Sequence, residues 1–405
     1  MNNIQHILIR SVNWLGDAIM TLPCIHLIRE AFPNTKIDLL TSQKLSGLWE
    51  NQPELDSVLT FPNKSDILFT SYLLRQRKID AALILPNSPR STLETFLARI
   101  PIRFAYKARW RSIFLTHKIA SLPESAIMRK RSSKEIRYLQ GTNKQLHPYT
   151  SHSHQIYNYL YLAQNFIKEF SPLGNQPLTD IDPTPRLNIK KSEQQSVCQR
   201  FGIQSPFISS SSTLLFGVNV GAEYGSAKRW SVRNFALTIS KLSEKYSVRW
   251  ILLGGSGDID IANTLKNQAQ SLCPQIKIYP VTGKTSLREL AVLTSLCKIV
   301  LTNDTGPMHV AAASGATVAV PFLSTSPELT CPGAPLDYNA SNGTANKHIF
   351  LRASCPCTPC FRRECPADFR CAKEITPEMM ISAISKFIDH IDNPYLFKSF
   401  EEISS

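Results

Sequence analysis

The stretch Ile299–Val320, IVLTNDTGPMHVAAASGATVAV, decides how the chain folds. Its opening, with β-branched Ile299 and Val300, reads as a short buried strand that stops at Asn303-Asp304-Thr305-Gly306. Met308 to Gly315 reads as a helix lying close on a sheet, because Ala311, Ala312 and Ala313 let backbones approach. Gly315 is placed as its C-cap and Ala316 to Leu323 as the next strand. The helix mouth then falls at Thr305 to Met308, where free backbone N–H groups and the helix dipole favour an anion. An ordinary N-cap and tight turn would give the same letters, so the rest of the chain must decide.

Outward from this stretch the same alternation recurs. HILIR (6–10), KIDLLTS (36–42) and DAALILP (80–86) read as strands, and AIMTLPCIHLIREAF (18–32) as a helix. Strands alternating with helices predict a parallel sheet covered on both faces. At 170–186 four prolines, Pro172, Pro177, Pro183 and Pro185, mark a linker. The pattern then restarts with strands at 214–222, 249–255 and 277–283, a helix near Asn234–Lys245 and a last helix near Pro377–Ile391. The expected fold is α/β, with two Rossmann-like domains whose parallel sheets face a central cleft. Residues 1–180 form the first domain, 181–392 the second, and 393–405 a tail packing back on the first.

Composition narrows the function. The chain has 405 residues, 43% of them hydrophobic, enough for two ordinary cores. No apolar run approaches the roughly 18 residues of a spanning helix. The opening MNNIQHILIRSVNWLGD lacks a basic n-region and a small-residue cleavage site, so a cytoplasmic protein is expected. The net charge of +14 is concentrated: between Arg99 and Lys144 stand twelve Lys or Arg against two acids, Glu124 and Glu135. Such a surface suits a phosphorylated substrate, an anionic membrane face or nucleic acid, or is simply solvated. Its aromatics, Phe104, Tyr106 and Trp110, fit no nucleic-acid motif.

Three loops of the second half follow strands and converge where open α/β sheets bind ligands. The first is VNVGAEYGSAKRW, with Gly221, Glu223, Gly225 and the mobile charge of Lys228. The second is LLGGSGD, with Gly254, Gly255, Gly257 and Asp258, and the third is Asp304-Thr305-Gly306. Together with a lysine they read as a nucleotide diphosphate site. No G-x-x-x-x-G-K-[ST] occurs, which excludes a P-loop ATPase. In the first half the matching loop is RSVNWLGDAIMT. There Gly16 lets backbone approach a ligand, and Asp17 is either an N-cap carboxylate or a general base taking a proton from a sugar hydroxyl.

GDAIMTLPCIHLIREAFP (16–33), GAEYGSAKRW (221–230) and TNDTGPMHVAAASG (302–315) together resemble the ADP-heptose:lipopolysaccharide heptosyltransferases, glycosyltransferase family 9. The second motif is most similar to the heptosyltransferase II branch. ILPNSPRSTLETFLARIPIRFAYKARWR (84–111) is similar to the family's first-domain segment. The resemblance spans about residues 5 to 390. It implies a GT-B fold and inverting transfer of heptose from ADP-heptose to the lipopolysaccharide inner core, without a metal cofactor. By motif position Asp17 matches the base and Lys228 the lysine at the leaving diphosphate. Asp304, Thr305 and Gly306 match the phosphate loop, and His309 the histidine one turn on, in contact with substrate or merely packed. Gly221, Glu223 and Gly254 complete the nucleotide-sugar side. Gly16, Asn87, Ser88, Arg103, Lys107 and Arg109 form the acceptor side, with Arg111 beside them, against Kdo-lipid A with or without a first heptose, at the cytoplasmic face of the inner membrane. One departure is Leu323, where the family has glycine; Ser324, Thr325 and Pro327 keep the pattern.

Cys355, Cys357, Cys360, Cys365 and Cys371 crowd one short segment. Such thiols could share a structural Zn²⁺, although only Cys357 and Cys360 form a C-x-x-C pair. Two alternatives stand beside the leading one. One is a family 9 enzyme with another sugar nucleotide or acceptor. The other is a basic nucleic-acid-binding protein with a cysteine-metal module, which would bind oligonucleotides in a salt-sensitive way.

Overall fold

The computed structural model describes residues 4–62, 66–123, 125–142, 149–150, 153–171, 177–204, 213–335 and 347–391; the tail 393–405, Glu124, Lys144 and Pro172 lie outside them. Its strands are β1 (His6–Arg10), β2 (Lys36–Ser42), β3 (Ser57–Phe61), β4 (Ala81–Ile84), β5 (Ile102–Tyr106), β6 (His117–Ile119), β7 (Leu214–Asn219), β8 (Val248–Leu253), β9 (Lys277–Pro280), β10 (Ile299–Thr302), β11 (Thr317–Phe322) and β12 (Ile349–Arg352). The helices of the first half are α1 (Leu15–Met20), α2 (Leu22–Ala31), α3 (Ile67–Arg75), α4 (Pro89–Leu97), α5 (Ser133–Gln140) and α6 (Gln155–Phe170). Those of the second are α7 (Lys191–Phe201), α8 (Val232–Lys245), α9 (Ile259–Leu272), α10 (Leu287–Ser295), α11 (Gly306–Ala313), α12 (Pro327–Thr330), α13 (Arg370–Glu374) and α14 (Pro377–Ile391).

Both sheets are parallel and six-stranded, in the orders β3-β2-β1-β4-β5-β6 and β12-β11-β10-β7-β8-β9. Read from β9, the second sheet repeats the order of the first. In each, the winding reverses between the first and fourth strands, β1 and β4 or β7 and β10, and the crevice at that reversal is where such sheets bind ligands. The central strands are apolar on both sides because both sides are covered. Ile7 and Ile9 face α2 and α6, whereas Leu8 faces Leu74, Ala98 and Leu115 under α3, α4 and the 107–115 loop. One apolar cluster runs from the face of the first sheet under α2 and α6 through α11 to α10 and Val300 of the second sheet. The halves thus share a core along one side of the cleft.

Three local results differ from the sequence reading. The helix expected at 18–32 is two helices, because Pro23 has no N–H for an unbroken ladder and starts α2 afresh after Thr21. Ser314 caps α11, and Gly315 follows it with a φ of +102°, a conformation that suits glycine. Finally α5, expected within the first domain, packs through Ile136 and Leu139 on the cysteine segment of the second half.

Candidate active site

The mouths of β1 and β10 meet across the cleft. α1 and α11 start there, and their first turns interlock through two glycines. A side-chain carbon on Gly16 would lie 2.8 Å from His309 Cδ2, and one on Gly306 would lie 2.8 Å from Leu15 Cβ. The space that these glycines leave is therefore filled by the opposite half, not kept for a ligand as the sequence suggested. Gly306→Val should lower the melting temperature through the collision with Leu15, at about 1–3 kcal/mol. Leu15→Ala in the same chain should restore part of that loss, which paired thermal melts would read.

Behind the mouth of α11 lies a fixed charge pair. Lys228 Nζ donates to Asp304 Oδ2 at 2.7 Å, and Thr325 Oγ1 donates to the same oxygen. Tyr224 offers its ring face to the ammonium at 5.1 Å. The loop carrying Lys228 is held from two sides. Asn303 accepts the Trp230 N–H through Oδ1 at 2.9 Å and donates through Nδ2 to the Val220 carbonyl at 2.9 Å. Gly225, at φ +149°, lies so close to the Arg363 carbonyl that a Cβ would approach its oxygen to 2.3 Å. That carbonyl accepts the Ala227 N–H at 2.9 Å. Gly221 and Gly254 are likewise packing glycines, both crowded by Asp258. Glu223 is exposed at the rim and pairs across the cleft with Lys44 at 2.8 Å.

Asp17 is the third residue of α1, whose N-cap is Trp14, so it does not cap the helix. Tyr159 from α6 donates to Asp17 Oδ1 at 3.5 Å. Burial raises the Asp17 pKa to about 6, opposed by the Tyr159 hydrogen bond and the positive charge of Lys228. His309 is buried and pushed down to about 4, chiefly by burial and against the pull of Asp304, so it is neutral at pH 7. It is a packed helix histidine between the halves. His154 is buried nearby: Nδ1 accepts the Ile156 N–H, Nε2 donates to the Cys331 carbonyl, and burial lowers its pKa to about 3. An ionisable carboxylate with a pKa just below neutrality thus shares one electrostatic neighbourhood with Lys228, Asp304 and His309. Tyr159 and Leu15 were not singled out from the sequence, and Asn303 entered only as the start of a turn. Tyr159 lies in an apolar-periodic helix far along the chain, and nothing in such a pattern marks which residue faces a cleft.

The expected acceptor residues divide. Asn87 is exposed on the loop after β4, beside the crevice, and Ser88 caps α4 by accepting the Ser91 N–H at 3.2 Å. Lys107 and Arg109 are exposed beyond the C-terminal end of β5. Arg103 is placed elsewhere: it is the second residue of β5, at the end opposite the crevice, and its guanidinium donates to the carbonyls of Phe114 (2.6 Å) and Ile100. Arg111 is fully buried, donating to the carbonyls of Tyr106 and Pro86. Both are structural braces.

The cysteine segment is also structural in its contacts. Cys355, Cys357 and Cys360 are buried with Ile136 and Leu139 as small apolar residues, and the Sγ atoms of Cys355 and Cys357 are 3.4 Å apart. Among the described residues no group of three or more His, Cys, Asp or Glu is arranged to hold a metal ion.

This geometry has counterparts among known proteins. Residues 128–369, more than half of the chain, match glycosyltransferase family 9 (heptosyltransferase). The chain belongs to that family. It is 26% identical over 385 residues to lipooligosaccharide heptosyltransferase 2 of Campylobacter jejuni, covering 94% of this chain and 98% of the relative. Lipopolysaccharide heptosyltransferase 2 of Escherichia coli K12 is also 26% identical, over 80% of this chain and 85% of the relative. The solved E. coli ADP-heptose lps heptosyltransferase II superposes with a TM-score of 0.70 at 21% identity, covering 96% of this chain and 99% of the other. The two-sheet architecture is thus the GT-B fold of these enzymes, and this family 9 chain is a glycosyltransferase.

Proposed function

We propose that this family 9 enzyme transfers heptose from ADP-heptose to the inner core of lipopolysaccharide, as a heptosyltransferase II-like enzyme with inversion at the anomeric carbon. The observation that carries the reading is the pair of opposed functions at the seam between α1 and α11: a carboxylate with a pKa raised to about 6 on one side, a fixed ammonium at a helix mouth on the other. The two named relatives are both heptosyltransferases 2, and the solved E. coli protein is an ADP-heptose lps heptosyltransferase, which supports the same donor here.

In this scheme Asp17 takes the proton of the attacking acceptor hydroxyl as its oxygen bonds to the anomeric carbon. The bond from that carbon to the diphosphate breaks on the far side, and ADP leaves with the electron pair. Lys228 and the first N–H groups of α11 hold the charge that grows on the diphosphate. Lys228 supplies the positive charge there, so transfer proceeds without a divalent cation. The acceptor is lipid-anchored, which places the enzyme at the cytoplasmic face of the inner membrane; no helix among the described residues is long and apolar enough to cross it.

The test is incubation with ADP-heptose and defined lipid A core acceptors, with and without chelator, followed by mass spectrometry. An acceptor carrying one added heptose in both arms is expected. Turnover of another ADP-sugar but not ADP-heptose would replace the donor, and loss with chelator would return a metal to the scheme.

A further inference from the structure

The outer layer of the first sheet is inverted in polarity. α3 buries Thr70 and Ser71 toward α4, where Ser71 Oγ donates to the Glu94 carbonyl at 3.1 Å, and it exposes Leu68, Phe69 and Tyr72 to solvent, the last at 66%. These three lie on one helical face by their i, i+3 and i, i+4 spacing. The layer continues through α4, whose Phe96 is exposed and packs on Phe114 at 5.2 Å, to the 107–115 loop, where Ile113 is exposed and Trp110 stands out at 75%. Trp110 is held in a left-handed conformation, φ +68°, which a bulky residue adopts only when its surroundings enforce it. The enforcing group is Arg111, whose buried guanidinium ties the loop to Tyr106 and Pro86, with Ser112 bonded back to Ala108.

Apart from exposed Asp66, which caps α3, the exposed charges around these side chains are positive. Arg75, Lys78, Arg99, Lys107, Arg109 and Lys118 are exposed and enter no ion pair among the described residues. Of the acids in 66–123, Glu94 is buried between Arg10 and Arg90, Asp80 accepts the backbone N–H groups of Gln5 and His6, and Asp66 caps α3. A face of exposed aromatic and aliphatic side chains, set in unpaired cations and braced to display a tryptophan, is complementary to an anionic lipid bilayer.

We infer that the layer formed by α3, α4 and the loop of Trp110 is a membrane-docking face, with Leu68, Phe69, Tyr72 and Trp110 entering the headgroup region and the surrounding cations contacting anionic lipid headgroups. This deepens the functional reading only by giving the lipid-anchored acceptor's enzyme a defined side toward the bilayer, and the vesicle-binding arm of its test needs no sugar.

The full chain would be sedimented with vesicles of pure phosphatidylcholine and of equal parts phosphatidylcholine and phosphatidylglycerol. The parent should bind the anionic vesicles. Phe69→Ser with Tyr72→Ser, or Trp110→Ser alone, should weaken that binding roughly tenfold, since buried apolar surface sets interfacial affinity. Arg75→Glu and Arg99→Glu should each cost about fivefold or more on anionic vesicles. Thermal melts matching the parent show that the variants are folded; for any that is not, Tyr72→Gln on the same exposed face gives the reading. A parent that ignores anionic vesicles, or Ser variants that bind as the parent does, would overturn the inference. So would a parent dimer that Phe69→Ser with Tyr72→Ser dissociates without changing vesicle binding, because the face would then join two copies. Heptose transfer to a soluble acceptor fragment that survives these variants separates a failed docking face from a failed enzyme assignment.

Discussion

Asp17→Asn is expected to lower kcat by roughly a hundredfold or more while leaving ADP affinity nearly intact, because removing the proposed general base has this scale and the residue lies across the seam from the proposed diphosphate site. The substitution is nearly isosteric and its carbonyl oxygen still accepts from Tyr159, so the fold should hold. The pH profile adds an independent reading. Burial raises the Asp17 pKa to about 6, so kcat/KM should fall as pH drops through about 6, and whatever activity remains in the Asn variant should not show that limb. Stability moves the opposite way. The native pKa lies above the unfolded value, so the folded state binds more protons between about pH 4 and 6, and stability falls as pH rises through that window. At pH 7 the parent carries this cost in full, on the order of 3 kcal/mol. Asp17→Asn should therefore melt higher than the parent at pH 7 and show little difference near pH 4. Parent-like turnover in a folded variant would remove Asp17 from the chemistry.

How far the sequence could be read depends on which link carries the information. Both sheets were legible because buried parallel strands are short runs such as HILIR and IVLT with turn signals between them, and because the βα alternation restarts after the prolines at 170–186. The loops after β7 and β10 were legible for the same reason: a loop's place in the chain determines its end of the sheet. What a glycine makes room for was not legible. Gly16 and Gly306 look like glycines that let backbone approach a ligand, yet their missing side chains admit His309 and Leu15 from the other half. Charge was equally ambiguous, since Arg103 and Arg111 read as surface cations until their guanidinium groups are seen on backbone carbonyls. A buried arginine and an exposed one leave the same letter in the sequence, and only the packing tells them apart.

Lys228→Ala is the other change expected to have a large effect, and it must be separated from a stability effect built into the site. Lys228 faces the buried carboxylate of Asp304, so removing the ammonium leaves that carboxylate with Thr325 as its remaining side-chain partner. An uncompensated buried charge should cost about 2–4 kcal/mol in unfolding experiments. In the proposed scheme the lysine's contact with the diphosphate strengthens as charge develops on departing ADP, so its loss should also reduce kcat by about a hundredfold to a thousandfold, with weaker ADP-sugar binding besides. The two losses come apart in the double variant. Lys228→Ala with Asp304→Ala removes both charges, and its melting temperature should return most of the way to the parent's, because two neutral side chains leave no charge unpaired. Its turnover should stay as low as that of the single variant, because nothing then balances the diphosphate. If turnover recovers together with stability, Lys228 serves only to neutralise Asp304, and the leaving group is held elsewhere. If the single variant keeps parent-like turnover and ADP affinity by calorimetry, the nucleotide does not lie at the mouth of α11.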